Sequence, residues 1–402
     1  MQLKESFSEQ RQLSPKISVA AVSSLSSSSS SFKNLFPFPA DPGAQPIWGP
    51  IGREVFERTY SRDKPEGGKE LWAETVSRAV DGNCDLVADK FLMPDERLLL
   101  KGLIFNFAAI PGGRHLWVSG VKGRQFLFNC HNASWGKTLS DHVSLLFSEL
   151  MKGGGVGTKY SNRRIGHLPK VSSSVNLFVE CERGHKDYND LCRQKLLSRP
   201  EAEDFINGRP YYHLKVGDSR EGWVEALCLM CDLHFKGEDA LLVLDVSNVR
   251  PKGAPIKTFG GTASGPWALI KLLRKVNELL NSNEGLKLNS LLLMEIDHEI
   301  SSCVVAGNVR RSARMSMKSY QDHDIEDFIN CKRSQEKHWT TNISVEIDDH
   351  FMTLAAKDCT RERELLYKVV SSMLTIGEPG LWNYSLAQIG EREEVEVTNP
   401  CG

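Results

Sequence analysis

The sequence has no apolar run approaching the roughly 18–20 residues of a membrane-spanning helix, so no membrane association is expected. It has no excess of either charge: 50 lysines and arginines stand against 51 acids, for a net charge of −1. The basic residues are spread along the chain and form no stripe, which argues against direct nucleic-acid binding. Cysteine is sparse, ten in 402 residues, too few for a disulfide scaffold, and no signal peptide leads the chain. A reducing, cytoplasmic setting is the expectation. The pair Cys228-x-x-Cys231 lacks a second pair at metal-site spacing and sits where Trp223, Leu227, Met230 and His234 recur at helical spacing. Core packing is the reading there, with redox or metal chemistry as its competitor.

What is present is the composition of an ordinary soluble globular protein, 40% apolar and 25% charged. The length suits two or three domains or one large enzyme-sized domain. Residues 1–46 form a Ser-rich leader, unbroken at Ser26–Ser31, that buries too little apolar surface to order itself. Its lack of acids after Glu9 leaves organellar targeting as an alternative to a plain disordered tail.

Residues 47–125 read as a helical domain, with helices around Glu70–Val80 and Pro94–Phe107 and a glycine-rich turn at Pro111-Gly112-Gly113. Beyond it, Val143, Leu146, Phe147, Leu150 and Met151 form one stripe and predict a helix over Ser140–Lys152, capped by Ser140 or Asp141 and stopped at Gly153. The stretch 172–217 loses periodicity and gains charge, which suggests an insertion. A helix over 221–236, a buried parallel strand at Ala240–Val246 and a helix opened by Ser264-Gly265-Pro266 follow. Further helices near 288–301 and 361–374 and a strand at Asn342–Ile347 complete an alternation that predicts α/β architecture with parallel strands.

Three glycine-rich loops and the last residues carry the chemistry. Lys152–Gly157 has amides for a phosphate but lacks the Gly-Lys-Ser/Thr ending of a P-loop, so close backbone packing competes. Phe259–Gly265 is a polar loop aimed at a helix start. Ala306–Ser312 sets Arg310 and Arg311 beside a Gly-Asn turn, where an anion and a solvated helix start are both open readings. Asn399-Pro400-Cys401-Gly402 puts a sulfur where no core surrounds it, so the thiol is used or the chain continues.

In this order the motifs resemble the adenosylcobalamin-dependent (class II) ribonucleotide reductases, specifically the monomeric ribonucleoside-triphosphate reductase type. The resemblance runs from Trp48 to Gly402, weakest at 172–217. It rests on Trp48-Gly49-Pro50, Pro111–Gly120, Asn129-Cys130, Glu149–Gly157, Arg220–Trp223, Phe259–Pro266, Val304–Ala313, Gly377–Gly380 and Thr398–Gly402.

The resemblance implies a helical N-terminal domain followed, over 126–402, by roughly the first half of a ten-stranded α/β barrel, with an effector-site insertion around 172–217. It implies that Cys401 is the thiyl-radical cysteine on a finger loop and that Cys130 is one of two cysteines that reduce the 2′ position. Asn399 would hydrogen-bond the ribose, and Asn129, Gly154 and Gly155 would contact substrate. Gly260, Gly261, Thr262, Ala263 and Ser264, with Arg310 and Arg311, would form the loops through which a deoxynucleoside triphosphate effector tunes base choice. The implied cofactor is adenosylcobalamin, the reductant thioredoxin or a similar dithiol, the substrate a ribonucleoside triphosphate, and the complete protein a monomer with no metal site of its own. The family's motif continues with a glutamate after the glycine and a second reducing cysteine beyond, neither of which this sequence contains. The chain is therefore expected to be an N-terminal part; the alternative is an inactive nucleotide-binding half that needs a separate C-terminal half.

Overall fold

The computed structural model describes residues 35–400 except 65, 94, 122–127, 206–207, 257–261, 307–312 and 335–336. The chain divides into two compact units, one up to residue 127 and one from Phe128 onward.

The first unit is helical, with α1 (Gly52–Thr59), α2 (Trp72–Cys84), α3 (Glu96–Phe105) and α4 (Gly113–Val118). Trp72, Val76 and Val80 recur on one face of α2 and meet Phe56, Ile104, Phe105 and Leu116 in a small core. Trp48 stacks on Phe56 at 5.7 Å and Trp72 on Phe107 at 5.3 Å, so aromatic area substitutes for the bulk a short unit lacks. The Arg78 guanidinium grips Glu70 with two bonds of 2.6 and 2.8 Å and also donates to the carbonyls of Leu116 and Ser119. Burial would raise the Glu70 carboxyl, but the bonds from Arg78 hold it below its ordinary range. Two details differ from the sequence reading. The glycine-rich segment at 111–113 starts α4, and the leader takes a defined course from residue 35: Phe38 packs edge-on to Phe105 at 5.8 Å and Asn106 donates to the Pro37 carbonyl at 3.0 Å. Two phenylalanines and adjacent prolines supply the apolar anchors that the serine run before them does not.

The second unit contains two parallel sheets. The larger has the order β1 (Cys130–Ala133), β2 (Gly155–Lys159), β6 (Ala313–Ser319), β7 (Thr341–Ile347), β8 (Gly380–Asn383). Between β2 and β6 the chain departs to build a second sheet, ordered β3 (Val175–Glu180), β5 (Ala240–Asp245), β4 (Tyr211–Lys215). Strand β5 is central and all six of its residues are buried, as its unbroken apolar run requires. It pairs with β3 and β4, which lie in the stretch 172–217, so the segment built around this sheet extends past 217. Strands β3 and β4 escape a periodicity reading because both are short edges: β4 alternates only between exposed and half-buried residues.

Helices α5 (Leu139–Met151), α8 (Arg220–Leu233), α9 (Trp267–Asn281) and α10 (Ser290–Ala306) share one apolar core with the strands; α6 (Asn162–Ile165) and α7 (Tyr188–Arg193) are short. The cap of α5 is Thr138, whose hydroxyl accepts from the Asp141 amide while the Asp141 carboxylate accepts from the Thr138 amide, so Asp141 is the third helical residue and neither it nor Ser140 is the cap. Later come α11 (Ile325–Asn330), α12 (Asp349–Ala355), α13 (Arg361–Ile376) and α14 (Tyr384–Ala387).

The two faces of the larger sheet differ, and this difference creates the site. On one face Ala133, Val156, Thr158, Arg314, Ser316, Lys318, Ile343 and Val345 are all buried. The other carries Cys130, Gly155 and Ala313 in one register row and Asn132, Gly157, Met315 and Asn342 in the next. There Asn132, Ala313 and Asn342 are exposed. A parallel sheet is normally covered on both faces; one lined inside with small and polar residues has the character of a barrel wall.

Candidate active site

The segment before Cys401 lies on the inner face of this wall. A Cβ on Gly157 would stand 1.9 Å from the Thr398 carbonyl oxygen, and one on Gly155 would stand 3.0 Å from the Pro400 ring. Backbone can approach strand β2 this closely because these positions have no side chain. Met317 Sδ lies 3.3 Å from the Thr398 amide, and Asn132 donates to the Val397 carbonyl at 3.4 Å. Val397 itself is buried. The Gly155 amide donates to the Asn129 carbonyl at 2.6 Å, and Gly155 is in register with Cys130. Paired residues of neighbouring parallel strands share a face, so the half-buried Cys130 faces the same side as Pro400 and stands in the row that Pro400 covers.

The approach to this seat is held by charge. Arg164 donates to Glu394 at 2.9 Å and forms an ion pair with Glu396 at 2.7 Å. The Tyr384 hydroxyl donates to Glu394 at 3.0 Å. The Gln388 amide donates to the Val395 carbonyl at 2.8 Å and accepts from the Val395 amide at 2.9 Å, in the manner of a strand partner. Beneath the segment, a cavity of about 300 Å³ is lined by residues including Ser134, Trp135, Lys159, Arg164 and Glu396. Lys159, buried there, pairs with Glu346.

Behind the sheet, on the covered face, lies a buried polar cluster. Asp297 of α10 accepts from the Tyr160 hydroxyl and meets His142 Nε2 at 2.9 Å, and Arg314 donates to the Tyr160 oxygen at 2.7 Å. Burial would raise the Asp297 carboxyl, but His142, Arg314 and Tyr160 hold it low. Burial, with Arg314 adding to it, pushes the neighbouring His298 imidazole down to about 4. Arg314, on β6, is buried with this cluster.

The sequence-derived residues fall into two groups. Cys130 and Gly155 share a row of the inner face, Asn399 lies against Gly157 there, and Asn129 joins them through its backbone carbonyl, which accepts from the Gly155 amide. Gly154 sits beside them at the start of β2, its open side against the His131 ring, and His131 pairs with Glu149 at 3.3 Å. Thr262, Ala263 and Ser264 are elsewhere. Thr262 bridges to Pro255, Ala263 exchanges backbone bonds with Gly253 and Ala254, and Ser264 is buried. Ala263 and Ser264 line a second cavity of about 300 Å³ with Phe147, Arg220, Trp223 and Cys303. Cys401, Gly260, Gly261, Arg310 and Arg311 lie outside the described residues.

Cys228 and Cys231 pack on α8 against α5. Cys228 donates to the Ser140 carbonyl, and burial pushes its thiol to about 11 and that of Cys231 well above the ordinary range. Such thiols form little thiolate, which fits packing. Among the described residues no group of His, Cys, Asp or Glu is placed to hold a metal ion, and no helix is long and apolar enough to cross a membrane.

Asn132, Arg164 and Met317 were not singled out from sequence, and Gly157 was read only as part of the Lys152–Gly157 loop, with close backbone packing as one of two readings. The spacing Gly155-x-Gly157 was the available signal, since alternate residues of a strand share a face. It was hidden because glycines disfavour strands and the run followed a helix, so it read as a loop.

A helical unit in the N-terminal part and, in the second unit, a parallel sheet with a backbone segment seated on bare glycine beside Cys130 define an α/β protein with the character of a partial barrel. Residues 39–121 match the ribonucleotide reductase alpha domain, and residues 175–280 match the insertion domain of B12-dependent ribonucleotide reductase. A putative adenosylcobalamin-dependent ribonucleoside-triphosphate reductase of Mycobacterium phage D29 is 44% identical over 374 residues, covering 88% of this chain and 53% of the relative. The adenosylcobalamin-dependent ribonucleoside-triphosphate reductase of Lactobacillus delbrueckii subsp. bulgaricus is 34% identical, covering 89% and 53%. A crystal structure of a B12-dependent (class II) ribonucleotide reductase superposes with a TM-score of 0.72 at 31% identity, covering 93% of this chain and 56% of its own. Over the residues it spans, the chain is similar to the class II ribonucleotide reductases. It spans about half the length of the curated relatives it matches.

Proposed function

We propose that this chain supplies the first half of an active site that reduces ribonucleoside triphosphates to deoxyribonucleoside triphosphates, with adenosylcobalamin as cofactor. The observation that carries the reading is the seating of Thr398–Pro400 on Gly157 and Gly155, in the register row of Cys130. It brings the segment that ends in Cys401 to the face that bears a second thiol. The inner face fits a cofactor-started thiol reaction in one respect: Cys130 is half-buried on a face of small and polar residues where Asn132, Ala313 and Asn342 remain exposed. When bound, the cofactor supplies the radical chemistry. In this reading Cys401 carries hydrogen to and from the ribose, Cys130 is one of two thiols that reduce the 2′ position, and Asn399 orients the sugar. Oxidation of Cys130 with its partner thiol is reversed by thioredoxin or a similar dithiol.

Asn129 and Gly154 border the substrate, and Gly155 seats the loop. The cavity at Ala263 and Ser264 takes the deoxynucleoside triphosphate effector, with Gly260, Gly261, Thr262, Arg310 and Arg311 contributing from their loops. The segment matching the insertion domain makes a partner subunit unnecessary for that site, and the working protein is a cytoplasmic monomer. The complete cycle is assigned to this chain together with the half of its relatives that it does not span.

The test joins the chain to the C-terminal half of the phage D29 relative and measures deoxynucleotide formation with adenosylcobalamin and a dithiol. Turnover that is lost in both Cys401→Ser and Cys130→Ser supports the reading, because oxygen cannot exchange hydrogen reversibly with a sugar carbon or form a disulfide. Normal turnover in either variant overturns that residue's role.

A further inference from the structure

We infer that Gly157 and Arg164 are positioning residues that set the course of Thr398–Pro400, the residues directly before Cys401 in sequence, an inference that rests on the reductase reading. At Gly157 the space of a side chain is filled by the Thr398 carbonyl, 1.9 Å from where a Cβ would be. That contact is with backbone, so an alanine there cannot be accommodated by rotating a side chain; the segment has to lift. At Gly155 the corresponding distance is 3.0 Å, to the edge of the Pro400 ring, which a small shift relieves.

The segment cannot escape sideways. Arg164 holds Glu394 and Glu396, Tyr384 holds Glu394, and Gln388 holds both backbone groups of Val395. With residues 394–396 pinned, a lift at Thr398 is transmitted forward to Asn399 and Pro400, the residues that precede Cys401 in sequence. Arg164 lies on α6, directly after β2, so the strand that provides the seat also carries the clamp. Hydrogen transfer between sulfur and carbon needs near-contact, and a misplacement of about 1 Å costs on the order of 100-fold in rate.

The pair makes a graded forecast that general destabilisation does not. In the 402-residue chain, amide hydrogen exchange at Thr398 and Asn399 rises about tenfold or more in Gly157→Ala, less than about threefold in Gly155→Ala, and at 394–397 in Arg164→Gln, with β6 and β7 unchanged in all three. In the chain joined to the relative's C-terminal half, Gly157→Ala lowers kcat about 100-fold with KM held within about twofold, and Arg164→Lys recovers most of what Arg164→Gln loses. Equal effects of the two glycine variants, or unchanged exchange and kcat in Arg164→Gln, overturn the inference. Should Gly157→Ala fail to fold, the Gln and Lys variants of Arg164 still decide it. A joined wild-type chain that makes no deoxynucleotide defeats the reductase reading, while the exchange results judge the seat on their own.

Discussion

Position 314 shows how much one side chain can hold in place. Arg314 is 2% exposed, reaches Tyr160 and Thr340, and lies 3.7 Å from Asp297. Removing one partner of such a cluster leaves an uncompensated charge in the interior. Arg314→Met is expected to lower stability by about 3–5 kcal/mol, read from the urea midpoint. The histidines beside it give a pH dependence. Burial, with Arg314 adding to it, holds His298 near 4, and burial with His298, Arg314, Lys337 and Lys332 does the same for His338, against an ordinary value of 6.5. Between those values the unfolded chain binds protons that the folded chain refuses, so stability is full above about 6.5 and falls as pH drops toward 4. Urea midpoints measured from pH 7 to pH 4 should decline across that window, and less steeply in His338→Gln. Cys130 and Asn399 were legible as motif residues because their identity matters locally. Close backbone packing was legible at Gly157, but neither its partner nor those of Arg164 were, because they lie more than two hundred positions away and only the fold brings them together.

At the scale of elements, stripes of leucine and valine named the helices well, while strands were legible only where they were buried over nearly their whole length, as at β5 and β7. Strand β2 is the instructive failure. Its sequence Gly-Val-Gly-Thr-Lys has poor strand propensity, yet it is buried along its whole length because neighbours on both sides and the loop above require a strand without bulk. Helix ends were legible to within a few residues, though the cap of α5 fell on Thr138. Thr138→Ala removes the acceptor for the Asp141 amide and should cost about 1 kcal/mol in thermal or urea unfolding. Ser140→Ala, which leaves that cap intact, should not reproduce the loss through the cap.

For the whole molecule, the sheet ends matter most. Among the described residues β1 and β8 each have a neighbour on one side only, and the inner face exposes Asn132, Ala313 and Asn342. Helix α13 adds exposed Tyr367, Val370 and Leu374. Open edges and apolar patches recruit other chains. The 402-residue chain alone is expected to self-associate at micromolar concentration, and the chain joined to its relative's C-terminal half to sediment as a monomer; ultracentrifugation of both distinguishes them.

The detour between β2 and β6 bears on time as well as space. These strands are hydrogen-bonded neighbours, yet the chain builds an entire second sheet between them. Their pairing closes a very long loop, which makes it a late and slow event in folding. The glycine seat needs β1, β2 and β6 together, and the segment it receives follows all of them in the chain. Synthesis from the N-terminus therefore makes β1, β2 and β6 before the segment that they receive.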